Sequence, residues 1–274
     1  MQRPTMERNH LEHDMALSLA SLQKGARDKP PIILLYGVKG IGKTTMAAGA
    51  PAPVIAAVED GIGALDVPFW NISTFDDMMQ AIGILYAEEH DRRSLVIDSL
   101  DWLEPLIWQE ACRRNGWESI ETPGYGKGYV AATAIWREYL DGIRALRDEK
   151  NILVLQIAHE TIKRFDSPEH DPYDRYQIKL HDKASALVQE HADIVAFVNY
   201  RVSIKEKDVG FNKKVARAVG GGQRVLFLEE RPAYLAKNRY GLPSSIDLPT
   251  QPEAWKQPDQ IWRSFAQHIP TLEH

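Results

Sequence analysis

The sequence predicts an α/β fold, in which a mostly parallel sheet is flanked by helices and extended by antiparallel strands on its C-terminal side. Four short apolar runs are each followed by a glycine or a polar residue: 31–36, 53–58, 94–97 and 152–158. Helical patterns occupy 44–50, 75–89 and 130–150. Continuous apolar strands that alternate with helices are typical of parallel sheets buried on both faces.

The C-terminal third has a different pattern. From Ala192 onward, β-rich runs are joined by short turns, one of which is Gly220-Gly221-Gly222. The runs lie at 194–205, 215–219, 224–228 and 233–237. Short connections of this kind favour antiparallel hairpins, here added to the edge of the sheet.

The chain predicts a single domain with an extension at each end. The N-terminal extension, residues 1–29, is polar and rich in charge, and the core spans 30–248. A proline-rich tail at 249–271 follows, with a short helix at 261–268. The final residues, 272–274, resemble the start of a vector-encoded histidine tag and are not part of the predicted fold.

Composition excludes several classes of protein. The 274 residues have a net charge of −5, 44% hydrophobic and 26% charged residues, which is ordinary globular usage and neither a disordered tail nor a fibre. No apolar run reaches the 18 residues of a membrane span, and no export signal is present, so we expect a cytoplasmic protein without membrane contact. The single cysteine, Cys112, excludes a disulfide framework and a cysteine zinc cluster.

A complete G-x-x-x-x-G-K-T motif follows the first apolar run and precedes a helical pattern. The glycines allow successive backbone N–H groups to turn around a phosphate at the start of a helix. Lys43 would reach the β- and γ-phosphates, and the Thr44 hydroxyl would bind Mg²⁺. The residues predicted to contact the nucleotide are Gly37, Val38, Lys39, Gly40, Ile41, Gly42, Lys43, Thr44 and Thr45.

Two further strand ends carry carboxylates. Asp98 ends the run Ser94–Asp98 and would hold the Mg²⁺ through water, as a Walker B carboxylate does; the alternative is a cap for the following helix. Glu59 and Asp60 follow the second strand, where a carboxylate could polarise the water that attacks the γ-phosphate. Alternation does not separate these two, and a solvated acidic turn is the other interpretation.

At these residues the sequence resembles the RecA-like P-loop ATPases, whose catalytic glutamate stands at the end of the second strand, and the resemblance favours Glu59. His159 takes the position of the glutamine that senses the γ-phosphate, with Gln156 as the other candidate and a buried structural histidine as the alternative. The segment A-K-N-R-Y-G-L-P resembles the K-N-K-x-x-x-P segment of RecA. Lys237 and Arg239 would accordingly reach the nucleotide of a neighbouring subunit; otherwise they form a basic surface turn.

A narrower resemblance covers residues 30–248. The collinear segments G-V-K-G-I-G-K-T-T, A-P-x-P-V, V-E-D-G, V-I-D-S-L-D, I-A-H-E and A-K-N-R-Y-G-L-P resemble phage-encoded, core-only RecA-like ATPases, the Sak-type single-strand annealing proteins. The resemblance implies ATP and Mg²⁺ as cofactors, DNA-stimulated ATP hydrolysis, and annealing of single-stranded DNA in phage recombination. It also implies a homo-oligomer, ring or filament, with ATP between subunits in the host cytoplasm. A phage single-strand binding protein is a further candidate partner.

The same resemblance places DNA binding in two loops, 113–129 and 160–183. Both interleave cations with aromatic side chains, as sequence-tolerant single-strand binding requires, although these side chains could instead pack locally. The first loop carries Arg113, Arg114, Trp117, Tyr125, Lys127 and Tyr129. The second carries Lys163, Arg164, Phe165, Tyr173, Arg175, Tyr176 and Lys179.

The net charge is unevenly distributed. Residues 199–240 hold ten Lys or Arg against four acids, which leaves −11 for the rest of the chain. The ten are at 201, 205, 207, 213, 214, 217, 224, 231, 237 and 239. A solvated basic hairpin would explain this segment, and so would a DNA groove or a subunit contact.

Three other functions compete with annealing. A helicase loader of the extended AAA class should have a helical lid after the core, where this sequence is β-rich. A small-molecule kinase should show a cationic lid and an acceptor pocket, which the sequence does not indicate. A non-catalytic nucleotide switch would keep its function when Glu59 is replaced by glutamine.

Overall fold

The computed structural model describes residues 29–166, 171–201, 203–208, 214–219 and 222–269, the segments 203–208 and 214–219 by their backbone. The strands are β1 Ile32–Gly37, β2 Pro53–Ala57, β3 Phe69–Asn71, β4 Ser94–Asp98, β5 Leu153–Phe165, β6 Tyr173–Ile178, β7 Ile194–Tyr200, β8 Ser203–Asp208, β9 Lys214–Val219, β10 Arg224–Phe227, β11 Lys237–Asn238 and β12 Ser245–Asp247. The helices are α1 Lys43–Ala48, α2 Phe75–Ala87, α3 Leu100–Asn115, α4 Lys127–Lys150, α5 Asp182–His191 and α6 Pro258–Ala266, with a 3₁₀ turn at Pro252–Lys256. Most of the N-terminal extension, the residues resembling a tag, and Gly220 and Gly221 lie outside the described residues.

The central sheet has the order β12-β10-β7-β1-β5-β4-β2-β3. The strands from β7 to β3 are parallel, whereas β10, β11 and β12 add antiparallel pairs on the β7 side. Strands β8 and β9 pair with each other in a separate two-stranded sheet. The predicted fold class, a mostly parallel sheet with helices and C-terminal antiparallel strands, is therefore confirmed.

The position of strand β1 between two layers of the fold explains why its sequence is apolar throughout. Its six residues are all buried, because each face of the sheet is covered by a separate layer. Ile32, Leu34 and Tyr36 face the layer that holds α2, α3, α4 and α5. Ile33 and Leu35 face the layer formed by α1 and the C-terminal helix α6. A strand between two apolar layers has no solvent face and therefore no alternation.

The structure corrects the first predicted DNA loop. Helix α3 continues to Asn115 and α4 begins at Lys127, so the expected loop at 113–129 shrinks to 116–126. Gly116 ends α3 and Gly126 precedes α4, and both have a φ of 68°, a left-handed conformation that glycine adopts without strain. Arg113, Arg114, Lys127 and Tyr129 consequently lie on helices.

The prediction of a second loop, at 160–183, is also wrong. Strand β5 runs for 13 residues, well past Ala158 where its apolar run ends, and pairs antiparallel with β6. Residues 167–170, between the two strands, lie outside the described residues. Helix α5 follows from Asp182, so the segment 160–183 is mainly a β-hairpin and the start of a helix.

Two of the predicted C-terminal strands also differ. Within 233–237, Lys237 alone belongs to a strand, the two-residue β11. The run 194–205 is divided between β7 and β8. The predicted tail helix begins earlier than expected, at Pro258, and packs against α1.

Candidate active site

Parallel strands bring the predicted site residues, apart from Lys237 and Arg239, to one edge of the sheet, at the carboxyl ends of the strands. Gly37 at the end of β1 is level with His159 on β5, and Ala57 at the end of β2 is level with Asp98 on β4. A cleft of about 620 Å³ opens at this edge. Its lining includes the predicted groups Lys43, Thr44, Glu59, Asp60, Asp98 and His159.

The phosphate loop connects β1 to α1. A Cβ added to Gly37 would lie 2.1 Å from the carbonyl oxygen of Val198 on β7, so only glycine fits beside that strand. Gly40 and Gly42 have φ values of 74° and 102°, which L side chains rarely adopt. The loop therefore needs its glycines both for close packing and for backbone conformation.

Lys43 is folded back on the loop that carries it. Its Nζ donates to the carbonyl oxygens of Gly37 at 2.8 Å and Val38 at 3.2 Å, and the residue is 5% exposed. Burial lowers the pKa of Lys43, against the opposing effect of nearby carboxylates, of which Glu160 is the strongest. An ammonium so placed gains from an anionic ligand, because a phosphate would offset the cost of burying its charge.

Thr44 and Asp98 form a direct pair. The Thr44 hydroxyl donates to Asp98 Oδ2 at 2.7 Å, and Asp98 is 2% exposed. Burial raises the pKa of Asp98 to about 6, although the hydrogen bond from Thr44 lowers it. Among the residues that the structure describes, Asp98 Oδ1 has no hydrogen-bond partner. A buried carboxylate with one oxygen unsatisfied is suited to a cation.

These groups fit Mg²⁺. Hydroxyl and carboxylate oxygens are its preferred ligands, and it usually completes its shell with water and substrate phosphates. The described part of the chain holds no group of three or more His, Cys, Asp or Glu that could hold a metal without such additional ligands. Thr44 and Asp98 would thus hold the ion together with the phosphates of a nucleotide.

Glu59 and Asp60 both line the cleft, but they differ in surroundings. Glu59 is half-buried and Asp60 is exposed. The Glu59 carboxylate is close enough to raise the pKa of both Lys43 and Asp98. The backbone N–H groups of Val58 and Glu59 donate to the carbonyl oxygen of Asp98 at 2.8 and 3.3 Å. The end of β2 is thereby fixed against Asp98.

His159, rather than Gln156, reaches the cleft. Gln156 is fully buried, where its Oε1 accepts a hydrogen bond from Tyr139 at 2.9 Å. The ring Nδ1 of His159 lies 3.0 Å from Asp101 Oδ2, and its backbone N–H donates to Asp101 Oδ1 at 3.0 Å. Although burial raises the pKa of Asp101, its hydrogen bonds with the ring and backbone of His159 lower it to about 2.

The sequence prediction missed Asp101 and Trp102, which follow the Walker B-type strand on the first turn of α3. Asp101 orients His159 and also lies 3.5 Å from the Lys179 ammonium. Trp102 lines the cleft and is 53% exposed. The run Val96-Ile97-Asp98-Ser99-Leu100-Asp101 held the available signal, a second aspartate three positions after the first.

Lys237 and Arg239 lie at the opposite end of the parallel strands, where β1 and β7 begin. Lys237 pairs with Val195 near the start of β7, whereas the phosphate loop follows the far end of the adjacent strand β1. At about 3.3 Å per residue, Arg239 is on the order of 15 Å or more from the cleft of its own chain. The Lys237 Nζ donates to the carbonyl oxygens of Gln189, Glu190 and Ala192 at the end of α5. Arg239 is 48% exposed and lies 3.9 Å from Asp193.

In the first predicted DNA region, several cations are paired within the chain. Arg113 and Arg114 both bind Glu110, and Arg114 also binds Glu138. Tyr129 stacks on His181 with ring centroids 4.2 Å apart. Tyr125, in the short loop between α3 and α4, is fully exposed.

In the hairpin of β5 and β6, too, some of the predicted DNA-binding side chains are paired or packed within the chain and others are exposed. Arg175 is buried and binds Glu230 at 2.8 Å, and Tyr176 packs on Phe197. Lys163 binds Asp182. Arg164 is exposed and lies 3.4 Å from Asp166. Ile162 is 61% exposed on the strand that continues from His159.

A phosphate loop at the end of β1, with a threonine–aspartate pair across to β4, defines a P-loop nucleotide-binding domain. The sequence matches the AAA domain family over residues 29–240, and the chain belongs to that family. The predicted P-loop core is confirmed at this level, whereas the narrower resemblance to phage annealing proteins stays a prediction.

No curated protein matches the sequence. Among the solved structures that match is the RadB recombinase, with 16% identity, 76% of this chain and 86% of that chain covered, and a TM-score of 0.42. A likeness of this degree carries no argument about function. None of the helices in the described segments is both long and apolar enough to cross a membrane.

Proposed function

We propose that this protein is a Mg²⁺-dependent ATPase of DNA recombination that binds and anneals single-stranded DNA as a homo-oligomer. The ATPase part is carried by one observation: the 2.7 Å pair of Thr44 and Asp98, with Lys43 and Glu59 around the same cleft. Phosphoryl transfer needs a phosphate cradle, a metal ligand set and a group that positions water, and these residues supply all three.

Each group has a distinct role in this proposal. Lys43 exchanges its loop carbonyls for the β- and γ-phosphates. Thr44 and Asp98 hold the Mg²⁺, which neutralises charge on the phosphates when bound. Glu59 accepts a hydrogen bond from the attacking water and orients it toward the γ-phosphate. His159, held by Asp101, contacts the γ-phosphate from the β5 side.

The position of Arg239 supports the oligomer that the sequence resemblance implies. A guanidinium at the edge opposite the cleft does not reach its own nucleotide, so a catalytic role requires a second subunit in a head-to-tail contact. Such a cation in trans stabilises the charge that develops on the transferred phosphoryl group. Lys237 is half-buried and binds the end of its own α5, so we assign the trans role primarily to Arg239.

The DNA part of the proposal is supported by exposed side chains on the β5–β6 hairpin and on the loop before α4. The hairpin of β5 and β6 leaves the cleft directly after His159 and carries the exposed Ile162 and Arg164. Tyr125 lies on the loop before α4 with a fully exposed side chain, as stacking on a base requires. Recombination in a phage and the partner single-strand binding protein rest on the sequence resemblance.

The test is an ATPase assay with and without a single-stranded oligonucleotide. We expect stimulated hydrolysis in the wild type, loss of nucleotide binding in Lys43→Ala, and retained binding with lost hydrolysis in Glu59→Gln. Asp60→Asn is the matched control and should keep most of the activity. Arg239→Gln should reduce the rate per subunit, most clearly at concentrations where the wild type assembles.

The outcomes separate the competing functions. Absence of DNA stimulation, together with no shift of a labelled oligonucleotide, would contradict the DNA role. A Glu59→Gln protein with unchanged biological function would favour a nucleotide switch. A helicase loader is less well supported, because the described residues beyond Ala192 form mainly strands followed by α6, where a loader should have a helical lid.

A further inference from the structure

The C-terminal segment 249–269 lies beyond the residues matched to the family, and yet it contacts the phosphate loop. A Cβ added to Gly42 would lie 2.2 Å from Cζ3 and 2.7 Å from Cε3 of Trp255. The indole ring therefore occupies the space where any side chain at position 42 would lie. Gly42 directly precedes Lys43, the residue proposed to bind the β- and γ-phosphates.

The Trp255 ring is held from two other directions. Its Nε1–H donates to the carbonyl oxygen of Pro249 at 2.8 Å. The guanidinium of Arg224, on strand β10, lies 3.8 Å from the ring centroid. A cation at this distance over an indole face is attracted to it. The ring is thus fixed before any ligand binds.

The rest of the segment packs against α1, the helix that follows the loop. A Cβ on Gly49 would lie 2.0 Å from the carbonyl oxygen of Pro258, so the backbones of the two segments touch at the end of α1. Ile261, Trp262 and Phe265 of α6 are buried in the same apolar layer as Met46 and Ala47. The C-terminal segment therefore contacts both ends of α1.

We infer that Trp255 is a positioning residue for nucleotide binding, which holds Gly42 and Lys43 in the conformation that accepts the phosphates. A loop with glycines at positions 40 and 42 has many accessible conformations, and restricting them before binding reduces the entropy lost on binding. The C-terminal segment supplies that restriction. The inference rests on the proposed nucleotide site and adds a part to it from outside the family region.

The test measures the Kd of the fluorescent analogue mant-ATP with Mg²⁺, by anisotropy, on the full chain. We expect Trp255→Ala to weaken binding roughly tenfold, which corresponds to about 1.4 kcal/mol. Trp262→Ala is the matched control, because Trp262 is 4% exposed in the apolar layer of the same segment, whereas the three atoms nearest to a Cβ at Gly42 all belong to Trp255. It should destabilise the fold while leaving the Kd of the folded protein within about twofold of the wild type.

A double-mutant cycle distinguishes positioning from general destabilisation. Gly42→Ala in the wild type both strains φ and collides with Trp255, whereas in the Trp255→Ala background only the strain remains. We expect the loss of affinity from Gly42→Ala to be smaller by about fivefold or more in that background. Trp255→Leu, which keeps apolar bulk, serves if Trp255→Ala does not fold, and it should weaken binding in the same direction.

The failures are distinguishable. If the wild type and Lys43→Ala bind mant-ATP equally poorly, the proposed function and this inference both fall. If the wild type binds and Trp255→Ala or Trp255→Leu binds equally well, only the inference is overturned. Additive effects in the cycle would also overturn it, since the two residues would then act independently.

Discussion

Replacing Lys237 by methionine should destabilise the protein measurably, because its ammonium is the cap of α5. The Nζ donates to three carbonyl oxygens, of Gln189 at 2.8 Å, Glu190 at 3.1 Å and Ala192 at 2.7 Å. These oxygens lie where the helix leaves carbonyl groups unpaired and where its dipole is negative. Methionine keeps most of the aliphatic stem and removes the donors.

The magnitude follows from the kind of bond that is lost. Hydrogen bonds to a charged group contribute about 1.5–3 kcal/mol, and a cation at a helix C-terminus adds some tenths. Because Lys237 is half-buried, we expect a loss of about 2–3 kcal/mol in the free energy of unfolding. For a domain of this size that corresponds to roughly 5–10 °C in Tm.

The assay is thermal unfolding followed by circular dichroism, without nucleotide and at a protein concentration low enough to avoid assembly. Arg239→Gln is the matched control, since Arg239 is 48% exposed and its nearest carboxylate oxygen lies 3.9 Å away. It should leave Tm nearly unchanged. A Lys237→Met protein whose Tm equals that of Arg239→Gln would refute the capping role.

Two further predictions concern buried carboxylates. Asp98→Asn should abolish the increase in Tm that we expect Mg²⁺-ATP to give the wild type, and a retained increase would contradict the metal role of Asp98. Without ligand, the variant should be at least as stable as the wild type, because burial raises the pKa of Asp98 to about 6 and makes its charge unfavourable. Glu104 has its pKa raised from 4.5 to about 7 by burial, against a hydrogen bond from the His181 backbone. Its contribution to stability is therefore present below pH 4.5 and lost as the pH rises through 7, so Glu104→Gln should stabilise the protein at pH 8, by up to about 3 kcal/mol, and little at pH 4.5. Denaturant titrations at both pH values test this, and an equal effect at both would refute it.

The strands and the phosphate loop were predictable because their signals are local. Apolar runs that end at Gly37, Asp98 and His159 belong to parallel strands, and the carboxyl ends of such strands meet at one edge. The sequence alone thus predicted which groups converge there. It also named both Glu59 and Asp60, and their different burial became visible only in the folded chain.

The missed features depend on contacts between distant residues. Helix α3 has a weak apolar pattern because Glu104 and Glu110 are buried on it, and no rule of periodicity expects charged residues inside. The continuation of β5 beyond Ala158 depends on pairing with β6, which turns a polar stretch into a strand. The bond from Lys237 to α5 spans 45 or more positions and has no local signature.

The position of β1 in the sheet determines when the nucleotide site can exist during synthesis. Its neighbours are β5 and β7, so Ile33 pairs with Leu155 on one side and Ile194 on the other. The strands that flank β1 follow the phosphate loop by more than about a hundred residues in the sequence. Pairing between such distant segments is slow compared with local folding. During synthesis β1 therefore stays without its partner strands until both have been made, and the phosphate loop can reach the geometry of the folded site only then.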